Sequence, residues 1–331
     1  MRSLPEGLLQ AGLLAGLAEG WGLDAARAAY LPVGFGSHHW DVTDAAGRRR
    51  FVTVDDLDHK GWLGTDRDTA FAGLRAAFDP AVALRHDAGL PFVVAPLPAS
   101  DGASVRRLDA RYAVSVFPFV EGSGAGWGGE RTAEERAGVI GLLAALHRAT
   151  PAALPFARRR HLDLPRRGSL EVALRELDRP WTGGPFSEPA REVLAAHTGS
   201  LLRRLAAYDR LAGQVAAAPE GLVVTHGEPH PGNVLHVAGG LALVDWDTVG
   251  LAPPERDLWH VTADPDELDR YTEATGHRVD AAAIALYRLR WDLDDISIYT
   301  AELRSPHART ADTEQAFLSL RGYVRSQDGG A

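Results

Sequence analysis

Residues 221–247 read GLVVTHGEPHPGNVLHVAGGLALVDWD. The three apolar runs in it, GLVV, VLHV and LALV, are each too short for a helix, and Pro229, Pro231 and Gly232 break the span between the first two. Proline removes a backbone donor and fixes φ, so this segment has to run strand, turn, strand. The Gly239–Gly240 pair then turns the chain into a third strand. Helical sequence lies on both sides: TAEERAGVIGLLAALHRAT, with Val139, Leu142, Leu143 and Leu146 on one face, a long helix over about 187–212, and a helical tail over 265–327. A polar hairpin embedded in helices therefore defines the second part of the chain.

The first ~120 residues have another texture. YLPVGFGSHHWDVTD followed by GRRRFVTVDD reads as a hairpin with its turn at Ala45–Gly47. DRDTAFAGLRAAFDPAVALRHDAG reads as two helices split near Pro80. FVVAPLP and RYAVSVFPFVEG read as two more apolar strands, and GSGAGWGGE as a glycine-rich linker. The fold class that follows is α+β, with a small antiparallel sheet and one helix over 1–118, a hinge near 117–123, and a mainly helical 119–331.

The chemistry concentrates on the hairpin. Asn233 ends its first loop, and Asp245, followed by Trp246 and Asp247, ends the strand LALVD. Such ends approach one another, which gathers Asn233, Asp245 and Asp247 around one point. Amide and carboxylate oxygens suit Mg²⁺, which keeps several waters and bridges to substrate phosphates. Glu228 lies five residues before Asn233 and faces the same point. A carboxylate that activates a hydroxyl, beside Mg²⁺ ligands, is the equipment of phosphoryl transfer.

HGEPHPGN, then DWD, then PPERDLW resembles the aminoglycoside phosphotransferase and choline kinase superfamily, whose pattern is H-G-D-x-x-x-x-N, an [I/V]-D-W segment and G-x-P-x-x-D-L. The helix ending LLAALH is similar to the one before that family's catalytic loop. The resemblance implies a two-lobed protein-kinase-like fold, Mg²⁺, ATP or GTP, and a small-molecule acceptor. It implies that Glu228 is catalytic, that Asn233 and Asp245 bind the metal with Asp247 as helper, and that His226 props the loop while Asp257 hydrogen-bonds it. Phe117, Phe119 and Val120 would lie on the hinge against the purine. Gly34, Gly36 and Ser37 would lie on the loop over the phosphates, with His38 and His39 beside them.

Two positions depart from the pattern. The catalytic Asp is Glu228, longer by one methylene or about 1.5 Å, and a misplacement of about 1 Å can cost on the order of a hundredfold in rate. The strand that should carry the nucleotide lysine reads FVTVDD, with Thr53 at the expected place. Lys60, seven residues on, could reach in from a loop, and only Asp79 stands near the place of the lysine's usual glutamate partner. The pair is therefore expected to be absent. These departures favour a second reading, a nucleotide- or ligand-binding pseudokinase. A third, a metal-dependent hydrolase, rests on His226, Glu228 and His230 in the H-x-E-x-H order.

On the last long helix, Asp292, Asp295, Tyr299 and Glu302 share one face, with Asp294 beside them. By resemblance they would hold the ammonium groups of a cationic acceptor. Their other reading is a solvated acidic face.

Composition narrows the class. With 35 Lys and Arg against 44 Asp and Glu, the formal charge is -9, which disfavours a nucleic-acid partner. No cysteine is present, which excludes disulfides, thiolate metal sites and thiol catalysis. Near the N-terminus, Leu9, Leu13, Leu17 and Trp21 recur at every fourth residue, as in an amphipathic helix rather than a secretion signal. No run approaches the roughly 20 apolar residues that cross a membrane, and the chain reads as cytoplasmic.

Overall fold

The computed structural model describes residues 3–34, 36–124, 129–217 and 221–325. The chain forms two compact units, one of Met1–Arg160 with Gly221–Val279 and one of His161–Glu220 with Asp280–Ala331. Compactness thus divides the chain at 160, 220 and 279.

The first unit opens with α1 (Gln10–Trp21), which buries Leu13 and Leu17 completely. A five-stranded antiparallel sheet follows, built from β1 (Ala25–Leu31), β2 (His38–Asp44), β3 (Arg49–Asp56), β4 (Arg106–Arg107) and β5 (Tyr112–Pro118) in the order β1-β2-β3-β5-β4. The β2–β3 turn falls at Ala45–Gly47, where Gly47 N–H closes on the Asp44 carbonyl at 2.9 Å. Side chains alternate across a strand. Trp40, Val42, Val52, Val54, Val114 and Val116 pack with Leu13 and Leu17 in one core. The register sets His39 opposite Thr53 and Thr53 opposite Ser115 on the other face, with Asp55 two residues along.

Two expectations fail here. Arg67–His86 is one helix, α2, with Pro80 inside it. Proline deletes one backbone bond, but Leu74, Ala77, Phe78, Ala81 and Leu84 are buried on both sides of it and hold the helix together. FVVAPLP is not a strand. Pro91, Pro96 and Pro98 lack donors, and the segment makes only an isolated bridge with Leu243, through Leu243 N–H to Phe92 O and Val94 N–H to Leu243 O, and one bond from Leu97 N–H to Val116 O.

The chain continues through β6 (Ser123–Gly124), α3 (Ala133–Arg148) and α4 (Thr150–Ala153). Residues 125–128 of the glycine-rich linker lie outside the described residues. Thr132 and Glu135 form a capping box that starts α3, and Val139, Leu142, Leu143 and Leu146 are buried as the periodicity requires. After α5 (Arg167–Arg175) and α6 (Ser187–Ala216) of the second unit, the chain returns as β7 (Val223–Thr225), β8 (Val234–Val237), β9 (Gly240–Leu243) and β10 (Gly250–Ala252), followed by α7 (Glu255–Leu258) and α8 (Pro265–Thr275). β8 and β9 form the expected hairpin, but β7 pairs with β10 instead of β8.

The second unit is helical. α5 and α6 pack with α9 (Ala281–Arg304) and α10 (Ala311–Arg325) around Leu194, Leu201, Leu286, Leu293, Ile296 and Leu320. Among the described residues no helix is long and apolar enough to cross a membrane.

Candidate active site

The loop from β7 to β8 is held by a buried carboxylate. Asp257, on α7, accepts the backbone N–H of His226 at 2.8 Å and of Gly227 at 2.6 Å, and the His147 Nε2–H at 3.0 Å. Burial alone would raise this carboxyl, but the His147 bond and the nearby Arg256 charge hold it below the ordinary range. Gly227 adopts φ 102°, and a side chain there would run into the Arg256 guanidinium. That guanidinium donates to Thr225 Oγ1 at 2.7 Å and to the Thr248 carbonyl at 2.8 Å. Arg131 donates to the carbonyls of Pro229 and His260. Burial draws Arg131 down to about 10, with Glu135 offsetting only part of the loss.

His226 joins the loop to the β9 end. It is fully buried, which lowers its pKa to about 4 and keeps the ring neutral. Its Nε2 faces the Val244 carbonyl at 2.9 Å, so that nitrogen carries the proton, and Nδ1 accepts the Glu228 backbone N–H at 3.2 Å. Both nitrogens are thereby used by backbone. His230 Nδ1 likewise accepts Gly232 N–H at 3.1 Å. This removes the H-x-E-x-H hydrolase reading: His226 has no lone pair left for a metal.

The same construction ties the main chain at Glu228, Asn233 and the end of β9 together. The Val244 N–H bonds the Asn233 carbonyl at 3.0 Å, and Asn233 Nδ2 donates to the Glu228 carbonyl at 3.0 Å, leaving Oδ1 as the amide's acceptor. Asp245 sits at φ 67°, a conformation aspartate tolerates better than most residues. Its side chain reaches solvent from deep within the protein. That depth and the Asp247 charge push its pKa up, and Lys60 pulls it back.

Lys60 corrects the expectation of a missing ion pair. Its Nζ is 2.8 Å from Asp55 Oδ1, 2.9 Å from Asp247 Oδ2 and 2.9 Å from Ser37 Oγ, with 1% of the side chain exposed. Burial would lower its pKa, but Asp247 and Asp55 more than offset that and raise it. Asp79 takes no part, bonding Ser104 and Arg75 instead. Thr53 meets His39 Nδ1 at 3.2 Å. Gly34 and Gly36 take φ of 71° and 78°, and a Cβ on Gly36 would touch Trp62 at 3.4 Å. Phe117 packs edge-on against Phe78; Phe119 and Val120 follow as the chain leaves the sheet, with Arg49 stacked 3.5 Å from the centre of the Phe119 ring. His38 turns away to Ser3 and Tyr30.

Asp55, Arg131, Arg256 and His147 were not singled out by sequence. Asp55 had one signal, its place two residues beyond Thr53 on the same strand face.

The predicted residues of α9 do not form an open acidic face. Asp292 is bonded to Arg204 at 2.9 Å and Asp294 to Arg290 at 3.3 Å. Asp295 is bonded by Tyr323, and burial pushes its carboxyl up to about 7. Tyr299 stacks on Tyr323, and Glu302 is half-buried.

An antiparallel sheet leading into helices, with a polar hairpin braced by Asp257 and His226, is a protein-kinase-like architecture. Residues 34–296 match the phosphotransferase enzyme family, and the chain belongs to it. Protein StrN of Streptomyces griseus is 30% identical over 281 residues, covering 81% of this chain and 82% of that one. A spectinomycin phosphotransferase solved with ADP and spectinomycin has a TM-score of 0.75 at 17% identity, covering 97% of this chain and 98% of that one. A microcompartment-associated aminopropanol kinase has a TM-score of 0.62 at 17% identity, covering 94% of each.

Proposed function

We propose that the chain transfers the γ-phosphoryl group of ATP or GTP to a hydroxyl of a small cationic acceptor, with aminoglycoside or aminocyclitol antibiotics and amino sugars as the leading class. The observation that carries this reading is the convergence built by His226, Asn233 and Val244, which sets Glu228, Asn233 and Asp245 at one end of one hairpin. The ligands named for the spectinomycin phosphotransferase support the acceptor class and the nucleotide.

The residues fit Mg²⁺. Asp55, Asp245 and Asp247 bring three carboxylates to the neighbourhood of one ammonium, Lys60, so a divalent cation would relieve their repulsion. Among the described residues no group of three or more His, Cys, Asp or Glu is placed to hold a metal ion. Mg²⁺ commonly takes only one or two protein carboxylates and completes its shell with phosphates and water. Asn233 Oδ1 and the Asp245 carboxylate would hold it, with Asp247 as helper. When bound it supplies charge neutralisation for the transferring phosphoryl group.

The chain's own residues then do three things. The Glu228 carboxylate accepts the proton of the acceptor hydroxyl and orients its oxygen. The Gly34–Ser37 loop lets backbone approach the phosphates closely, and Phe117, Phe119 and Val120 border the base. Asp292, Asp295, Tyr299 and Glu302 serve the acceptor, Glu302 through charge, Asp295 and Tyr299 through hydrogen bonding, and Asp292 through its hold on Arg204. His226 and Asp257 keep the loop in place.

A screen of aminoglycosides, spectinomycin and choline-like amines, read as ADP or GDP release with a phosphorylated product by mass, tests the reading. Turnover that disappears in Asp245→Ala and Glu228→Gln and survives in part in Glu228→Asp is expected. Thr53 and Glu228 favour the second reading, a binding-only relative. Thermal stabilisation by nucleotide with no product from any acceptor would establish that instead.

A further inference from the structure

The ammonium of Lys60 lies in an unusual setting for a lysine. It is 1% exposed, clasped by Asp55, Asp247 and Ser37, and lies 4.9 Å from the centre of the Trp62 ring. A lysine loses about 2 kcal/mol of rotamer freedom when fixed like this, and a buried ion pair is seldom a gain over apolar packing. A purely structural role therefore explains its position poorly. Its partners point to use instead. Asp247 adjoins the metal-ligand position Asp245, and Ser37 belongs to the glycine loop. Ser37 Oγ donates to Asp55 Oδ1 at 2.7 Å while accepting from Lys60, so the loop is laid directly over the ammonium. A Cβ on Gly36 would come within 3.9 Å of Lys60 Nζ.

Asp55 is the fixed member. It lies on β3 on the face that carries Thr53, 1% exposed, and its Oδ2 has no hydrogen-bond partner. Asp247 sits on the loop after β9 and is the more exposed of the two carboxylates, 13% against 1%.

We propose that Lys60 is the cation that meets the nucleotide phosphates, that Asp55 anchors it from β3, and that nucleotide binding moves Lys60 from Asp247 to the phosphate while Asp247 turns to the metal. The pair is then built with its charges exchanged: the acid stands on the strand and the base on the segment after it, so α2 contributes no partner. The inference rests on the nucleotide-binding reading above, and it makes Asp55 a positioning residue and Asp247 a competitor for Lys60 in the metal-free protein.

The test measures ADP and adenosine binding to the full chain by calorimetry, without turnover. Lys60→Ala strands two carboxylates, so Lys60→Ala/Asp55→Asn is measured beside it, with the melting temperature of each. The expected result is ADP affinity weakened about ten- to a hundredfold in both, the loss of one charge-assisted bond, with adenosine affinity unchanged. Asp55→Asn alone weakens ADP binding with adenosine unaffected, and Asp247→Asn tightens metal-free ADP binding. Unchanged ADP affinity in the folded double variant, or equal losses for ADP and adenosine, overturns the assignment of Lys60 and leaves nucleotide binding standing. Wild-type protein that binds neither ligand overturns both.

Discussion

The loop at 225–233 and the acidic stretch of α9 each gather polar side chains into a short span of sequence, yet the structure treats them differently. In the loop, backbone bonds set the positions: Asp257, His226, Arg131 and Asn233 each hold main-chain groups. On α9 the carboxylates are held by side chains, Asp292 by Arg204 and Asp294 by Arg290, with Tyr323 on Asp295. A carboxylate placed by its own backbone remains usable for chemistry. One placed by an arginine is already neutralised, and its spacing on a helix says little about what it binds.

The contrast is sharpest at Asp257. Asp257→Ala removes three bonds from a fully buried group and strands two loop N–H donors, and should cost about 3–5 kcal/mol in chemical denaturation, as breaking a buried ionic network does. A loss under about 1 kcal/mol would mean that the loop is held by other means.

Acid should act on the same region. The folded pKa of His226 is about 4 against 6.5 unfolded, so between those values the unfolded chain holds a proton the folded chain lacks. Stability therefore falls as pH drops from about 6.5 to about 4, by about 3 kcal/mol from this ring alone, at about 1.4 kcal/mol per pH unit. His230, lowered to about 3, and His260, also lowered, add in the same direction. His226→Asn should reduce the slope of unfolding free energy against pH by about one proton's worth. An unchanged slope would show that the ring is not held neutral by the fold.

On α9 the expected effects are smaller and separate the two roles. Asp292→Asn leaves Arg204 without its carboxylate and should cost about 1–3 kcal/mol of stability. Glu302→Gln should stay within about 0.5 kcal/mol and instead raise KM for a cationic acceptor at unchanged kcat. If Asp292→Asn is neutral in stability and Glu302→Gln leaves KM alone, α9 is neither braced nor used as described.

Much of the fold was legible where local rules suffice. The turn at Ala45–Gly47, the buried face of α3 and the burial of Leu13 and Leu17 on α1 all follow from residues within a few positions of one another, whereas Leu9 precedes α1 and is exposed. The continuous α2 was missed because a proline's local cost was outweighed by burial on both sides of it. The partner of β7 was missed because β10 joins it across an intervening hairpin.

The sequence by itself determined a polar, proline-broken turn between short strands that carries Glu228 and ends at Asn233, because turn chemistry and strand alternation act over a few residues. Tertiary structure alone decided which charges answer one another: Lys60 finds Asp247 across 187 residues, and Asp292 finds Arg204 across 88. Coulomb attraction depends on distance through space and on burial, and neither is written in the spacing of residues along the chain.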